Sequence, residues 1–278
     1  MTSRILWAFL LGSAPALAAG AEGATAGPSG PRIGIHLGLE NFNWSEQDPS
    51  QSRELLEEEG PRFAGAITLD NFLKPTEGPV YALEARGYVG EVNYDGETQT
   101  GTPLKTDVNY SGVMGEARVG YRFAPAWAQY GFDVLAGLGG EFWSRDIQDS
   151  SISQNNQVVH VDGYEEEYTL AYTKFGFGIA DQTFEEWFGR LEAGLRYPLE
   201  VEEQVEAYNL ELSPDPNPGF YASYELSKTI PGGQQVGVTV YYDSYRFDPS
   251  PKVPLGNRLV WQPESDMDVI GLRFGVFL

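Results

Sequence analysis

The charged residues of this chain recur at a spacing that has chemical meaning. Glu84-x-Arg86, Glu116-x-Arg118 and Arg190-x-Glu192 each put opposite charges two positions apart, with Arg196 and Arg273 on the same parity of their segments. Residues two apart share one face of an extended strand. Such a face supports either of two chemistries. It is a charged constriction that selects ions, or it is a filling of mutually satisfied ion pairs, because an unpaired buried charge is expensive.

Other candidates are weaker. Glu57-Glu58-Glu59, Glu165-Glu166-Glu167 with Asp162, and Glu200, Glu202, Glu203 and Glu206 offer oxygen ligands for calcium or magnesium. Their spacing matches no dedicated loop, so they predict loose divalent-cation association and no defined metal site. The chain has two histidines: His36, between Arg32 and Glu40 on one strand parity, and His160 in His160-Val161-Asp162. Asp266-Met267-Asp268 supplies an acidic pair which, opposite His160 and Asp162, would be able to activate water. No nucleophile elbow, phosphate-cradling glycine loop or zinc signature occurs. The expectation is therefore a protein without catalytic residues or cofactor.

The elements that position these residues are strands. Alternation with period two marks ten of them. Ile33, Ile35, Leu37 and Leu39 oppose Arg32, Gly34, His36, Gly38 and Glu40. The pattern repeats at 62–70, 81–89, 113–123, 132–142, 172–179, 190–197, 220–226, 236–243 and 270–278. Long polar segments near 45–60, 95–109, 145–165, 199–218 and 248–265 alternate with short turns near 73–79, 124–128, 180–186 and 229–235. Strict alternation of long and short links predicts a transmembrane up-and-down antiparallel β-barrel with both termini on the turn side.

A charge on the lipid face at mid-bilayer costs roughly 2–4 kcal/mol, so the charged parity is expected to face the lumen. Barrels of about eight strands are just filled by side chains, and at ten a plugged or very narrow lumen is expected. Trp44, Trp127, Trp143, Trp187 and Trp261 fall near strand ends, where indoles favour the lipid–water interface.

Bulk properties agree. Arg4, the apolar run Ile5–Leu11 and Ala16-Leu17-Ala18 read as an export signal over residues 1–18, followed by a flexible leader over 19–30 and a barrel domain over 31–278. There are no cysteines, which excludes disulfides and thiolate chemistry, and the net charge of −22 disfavours nucleic acid.

The alternating spans, tight turns, acidic loops and apolar last strand Asp268–Leu278 resemble the small outer-membrane β-barrel proteins of Gram-negative bacteria. That resemblance implies residence in the cell outer membrane as a monomer among lipid and lipopolysaccharide, with loops contacting cations or external partners. It leaves a porin-like passive channel as the alternative. Tyr241–Phe247 followed by Trp261–Asp268 is similar to uncharacterised proteobacterial barrels. Ten strands also resemble the omptin surface proteases, whose catalytic set includes an Asp-x-His order; this chain has the reverse at His160-Val161-Asp162.

Overall fold

Ten strands close on themselves with every neighbour antiparallel. The computed structural model describes residues 30–48, 53–97, 101–125, 130–154, 157–184 and 186–278. The export signal, nearly all of the leader and Trp127 lie outside the described residues. The barrel strands are β1 (Arg32–Asp48), β2 (Arg53–Asp70), β3 (Gly78–Glu97), β4 (Pro103–Phe123), β5 (Tyr130–Ile147), β6 (Tyr164–Phe184), β7 (Trp187–Val205), β8 (Gly219–Thr229), β9 (Gln235–Asp248) and β10 (Glu264–Phe277). Sequential strands pair all round, and β1 closes on β10 from Gly34 opposite Phe277 to Gln47 opposite Glu264. Two backbone bonds between Ile33 and Leu278 lock the seam at the turn rim. The only described helix is a single turn at Glu206–Tyr208, so strands make any crossing of a membrane.

The parity of side chains divides the barrel into two stacked zones. From the turn rim upward, apolar residues point out and charged ones point in. Leu37 is 73% exposed, whereas His36 and Glu40 are buried. Above Glu40 the assignment inverts. Phe42 and Trp44 point inward and are buried, while Asn41, Asn43 and Ser45 face out. Phe63 faces out but Glu57 and Glu59 replace it higher on β2, and Phe142 gives way to Ser144 and Asp146 on β5. An apolar outer band about 25 Å tall is what a bilayer requires. Beyond the band, the outer face is polar and the apolar residues turn inward.

Four segments read as long polar loops are therefore mostly strand, the fourth because 199–205 continues β7 and 210–212 and 215–217 form short strands. Residues 45–48 and 53–60 continue β1 and β2, 95–97 and 103–109 continue β3 and β4, and 145–147 and 164–165 continue β5 and β6. Between β5 and β6 a hairpin of 150–154 against 157–161 forms a separate two-stranded sheet, with Ile152 and Val161 packed against the loop-side core. β8 starts only at Gly219, and two short strands fill the wall above it: 210–212 against β7 and 215–217 against β9. Trp44 and Trp143 lie inside this loop-side zone, fully buried, and not at the interface predicted for them. Trp187 is exposed at the turn rim, and Trp261 sits in the loop before β10 under the Lys252 ammonium, 4.2 Å from its ring centre.

Glycine sets how tightly the interior fills. Tyr88, Tyr172 and Tyr241 stand directly opposite Gly112, Gly139 and Gly271 on the neighbouring strand. Each ring lies across its glycine so closely that a Cβ there would sit 2.1–2.4 Å from ring atoms.

Candidate functional site

The interior is built in three layers. At the turn rim, the β2–β3 connection folds Phe72 and Leu73 into the barrel, where they meet Val80, Ala82, Leu135, Ala180 and Phe188. Arg122 fixes this closure. Its guanidinium donates to both oxygens of Asp133 at 2.7 and 2.8 Å and to the Phe72 carbonyl at 2.7 Å. The Arg190 guanidinium stacks 3.5 Å above the Phe72 ring and also pairs with Asp133.

The middle layer holds the residues singled out by their charge pattern. Glu84 accepts from Arg273 at 2.7 Å and lies 3.8 Å from Arg118. Arg118 reaches Glu116 at 3.0 Å and Glu192 at 2.6 Å, and Arg190 reaches Glu192 at 3.0 Å. Arg86 pairs across the lumen with Asp243 at 3.2 Å and lies 3.7 Å from Glu40. Arg196 donates to Asp243 at 2.8 Å. Two of the three triplets thus pair within themselves, while Glu84 and Arg86 take partners from other strands.

Sequence reasoning missed Lys174, Asp243 and Glu40, which complete the layer. Lys174 lies 2.7 Å from Glu116, and Arg62 lies 2.7 Å from Glu40. The glycine-seated tyrosines cap the carboxylates: Tyr172 donates to Glu116 at 2.9 Å, Tyr241 to Glu40 at 2.6 Å and Tyr88 to Glu141 at 2.8 Å. Arg32, Arg62, Arg86, Arg118, Arg122, Lys174, Arg190, Arg196 and Arg273 therefore face Glu40, Asp70, Glu84, Glu116, Asp133, Glu141, Glu192, Glu225 and Asp243. Nine cations against nine carboxylates make this part of the interior neutral in formal charge. A cavity of about 50 Å³ lies among these groups, room for a few waters.

The loop-side layer is aromatic and net negative. Trp143 stacks on Tyr168 at 4.8 Å, and Trp44 packs edge-on to Tyr168 at 5.6 Å. Among them Arg145 pairs with Glu58 and Glu166 and lies 3.6 Å from Glu46. Trp44 and Gln262 each donate to Glu46 at 3.0 Å. Glu203 is buried in the same layer, and one of its oxygens has no hydrogen-bond partner among the described residues. Burial, then the nearby charges of Glu166 and Glu46, pushes the Glu203 carboxyl well above the usual range; burial likewise raises Glu46. The pleat thus splits the acidic runs: Glu58 and Glu166 point in, while Glu57, Glu59, Glu165 and Glu167 lie on the other parity.

The two histidines are far apart in setting. His36 is buried in the lower half beside Thr68, 2.9 Å away, and edge-on to Phe277. His160 stands on the exposed face of the hairpin between β5 and β6, 3.2 Å from Asp162 and 3.8 Å from Asp149. Asp266 and Asp268 are held by Arg246 at 3.2 and 2.9 Å. The acidic pair and the Asp–His pair thus have separate partners.

No family model matches the sequence, and no curated protein matches it. Among solved structures, the chain is similar to the outer membrane protease OmpT from Escherichia coli, with a TM-score of 0.56 and 10% identity over 90% of this chain and 96% of that one. It is also similar to the translocator domain of the autotransporter NalP from Neisseria meningitidis (TM-score 0.41, 11% identity, 90% of each chain). A third is an outer membrane channel from Pseudomonas putida F1 (TM-score 0.36, 9% identity, 94% of this chain and all of that one). What the likeness to the OmpT structure carries is the fold alone, a closed ten-stranded antiparallel barrel of the outer-membrane type.

Proposed function

We propose that the chain is a closed, non-enzymatic integral barrel of the outer membrane, exported by a cleaved signal, whose interior charges hold the lumen shut. The observation that carries this reading is the paired filling of the middle layer, where Arg86, Arg118, Lys174 and Arg273 meet Glu84, Glu116 and Asp243 around a cavity of about 50 Å³, beneath an aromatic layer and above a folded-in turn. A filter needs a continuous wet path and binding weak enough to let ions leave. Pairs at 2.6–3.2 Å between opposed strands instead tie the wall to itself.

The working surface is then the loop-side zone. Its outer face carries Glu57, Glu59, Glu91, Asp95, Asp146, Glu165 and Glu167 against few cations, of which Lys105 is tied to Asp95 at 2.6 Å. An acidic belt beside anionic lipopolysaccharide repels it unless divalent cations bridge the two. Cation-bridged lipopolysaccharide or a cationic external partner is the contact this surface suits, with the protein acting as a monomer.

The test is single-channel recording of the refolded chain in planar bilayers. Silence from protein shown by circular dichroism to be folded is the expected result. Stable conductance steps whose selectivity changes in Glu84→Gln or Arg118→Gln would overturn the closed reading and assign the middle layer as a filter.

A further inference from the structure

The hairpin between β5 and β6 brings three ligand-type side chains to one face. Its register sets Ser150 opposite Val161 and Ser151 opposite His160. One rung past Ser150 and Val161, Asp149 and Asp162 stand across from each other, and alternation puts Asp162 on the same face as His160. The His160 Nε2 atom lies 3.2 Å from Asp162 Oδ1 and 3.8 Å from Asp149 Oδ2. One ligand atom from each of the three lies within 4.8 Å of the other two. A tetrahedral ion with bonds of about 2.0–2.1 Å holds its ligand atoms about 3.3–3.4 Å apart. The two separations from His160 straddle that value.

The base of the hairpin is anchored, so the three atoms converge without folding a loose loop. Asp149 Oδ1 accepts the Gly163 N–H at 2.7 Å, which leaves Oδ2 to face the imidazole. A ligand carboxylate oriented through its other oxygen is the usual supporting arrangement around a bound metal. Gly163 itself lies so near the chain at Ile147 that a Cβ would come within 2.0 Å of that carbonyl oxygen. Three bonds at 2.9 Å tie the entering strand to β4: Gln148 N–H to the Asp107 carbonyl, Thr106 hydroxyl to the Gln148 carbonyl, and Ser150 hydroxyl to the Lys105 carbonyl. The three ligand side chains are 61–92% exposed, so an ion can enter and keep water in a fourth position.

We propose that Asp149, His160 and Asp162 form a site for one divalent transition-metal ion of the zinc class. The imidazole nitrogen makes the choice of class: hard calcium and magnesium take oxygen ligands, whereas zinc, copper and nickel favour nitrogen. The site is on the solvent-exposed face of the hairpin, opposite the face that carries Ile152 and Val161, and is independent of whether the lumen conducts.

The test uses the full chain folded in detergent, titrated with Zn²⁺ by calorimetry in the presence of excess Mg²⁺. One Zn²⁺ per chain is expected, with His160→Gln and Asp162→Asn each weakening it at least tenfold. Both substitutions fall on an exposed hairpin, and circular dichroism checks that the barrel is intact. With Cu²⁺ as a spectroscopic probe, imidazole nitrogen coupling is expected in the parent and absent in His160→Gln, because the other imidazole, His36, is buried inside the barrel. No saturable Zn²⁺ binding above Mg²⁺ would overturn the site. So would Zn²⁺ binding that survives both substitutions, since it would belong to the diffuse acidic surface.

Discussion

A tyrosine that lies flat against the barrel wall needs a neighbour with no side chain. Tyr172 crosses Gly139 and so delivers its hydroxyl to Glu116, 2.9 Å away, inside the layer that also holds Arg118 and Lys174. Gly139→Ala puts a methyl carbon 2.4 Å from the ring carbon that bears the hydroxyl, so the ring must swing into an already filled lumen. Overpacking of this kind costs typically 1–3 kcal/mol, and the lost hydroxyl leaves Glu116 short of a donor. Gly115, on the outward face of the adjacent strand, is the matched control, because a Cβ there meets nothing within 4 Å. Urea unfolding of the chain reconstituted in vesicles should show Gly139→Ala destabilised by about 1–3 kcal/mol and Gly115→Ala unchanged. Equal effects would mean that the tyrosine–glycine seats do not constrain the interior. The inward parity of Glu84, Arg118 or Glu192 was legible from alternation alone. Which carboxylate each arginine meets was not, because Arg86 and Asp243 are 157 residues apart and only closure brings them together.

At the scale of the strand, the sequence carries a change of phase. Ile33, Ile35, Leu37 and Leu39 set the apolar residues on odd positions, and Phe42 and Trp44 move them to even ones. Each half alternates, but a single-phase search stops at Glu40 and takes the rest for loop. The same reversal hides the loop-side core, since Glu57-Glu58-Glu59 looks like a solvated run although Glu58 is fully buried against Arg145.

That core has a pH dependence with a definite sign. Burial and the charges of Glu166 and Glu46 raise the Glu203 carboxyl, and burial raises Glu46. A carboxyl raised in the folded state binds protons more tightly there than in the unfolded chain. Its stabilising contribution is full below the unfolded value and is lost as pH rises through the folded one. Protection factors, taken relative to the intrinsic exchange rate at each pH, in the loop-side ends of β6 and β7 should therefore be larger near pH 5 than near pH 8. Glu203→Gln should raise the protection factors at pH 8 and flatten their profile. Protection that instead increases toward pH 8, or a profile untouched by Glu203→Gln, would place the titrating groups elsewhere.

For the molecule as a whole, the question is where lipid ends and water begins on a continuous wall. Below the boundary the barrel is inverted relative to a soluble protein, with an ionic interior and an apolar outside. Above it the same strands run on as an ordinary water-exposed barrel around Phe42, Trp44, Trp143 and Tyr168. One strand crosses both regimes on a single face: Phe177 is 70% exposed in the middle of the apolar band of β6, and Thr169 faces out on the same parity eight residues nearer the loops. The cost of a charge on an outer face depends on depth, roughly 2–4 kcal/mol for arginine at the midplane and about 0–1 near the interfaces. Phe177→Arg should therefore lower the stability of the vesicle-inserted barrel by about 2–4 kcal/mol, with Thr169→Arg close to neutral. If both prove neutral, the band does not face lipid and the chain is a barrel of another kind. If both are costly, the bilayer reaches past Thr169, and the aromatic layer inside lies at membrane depth with the ion pairs below it.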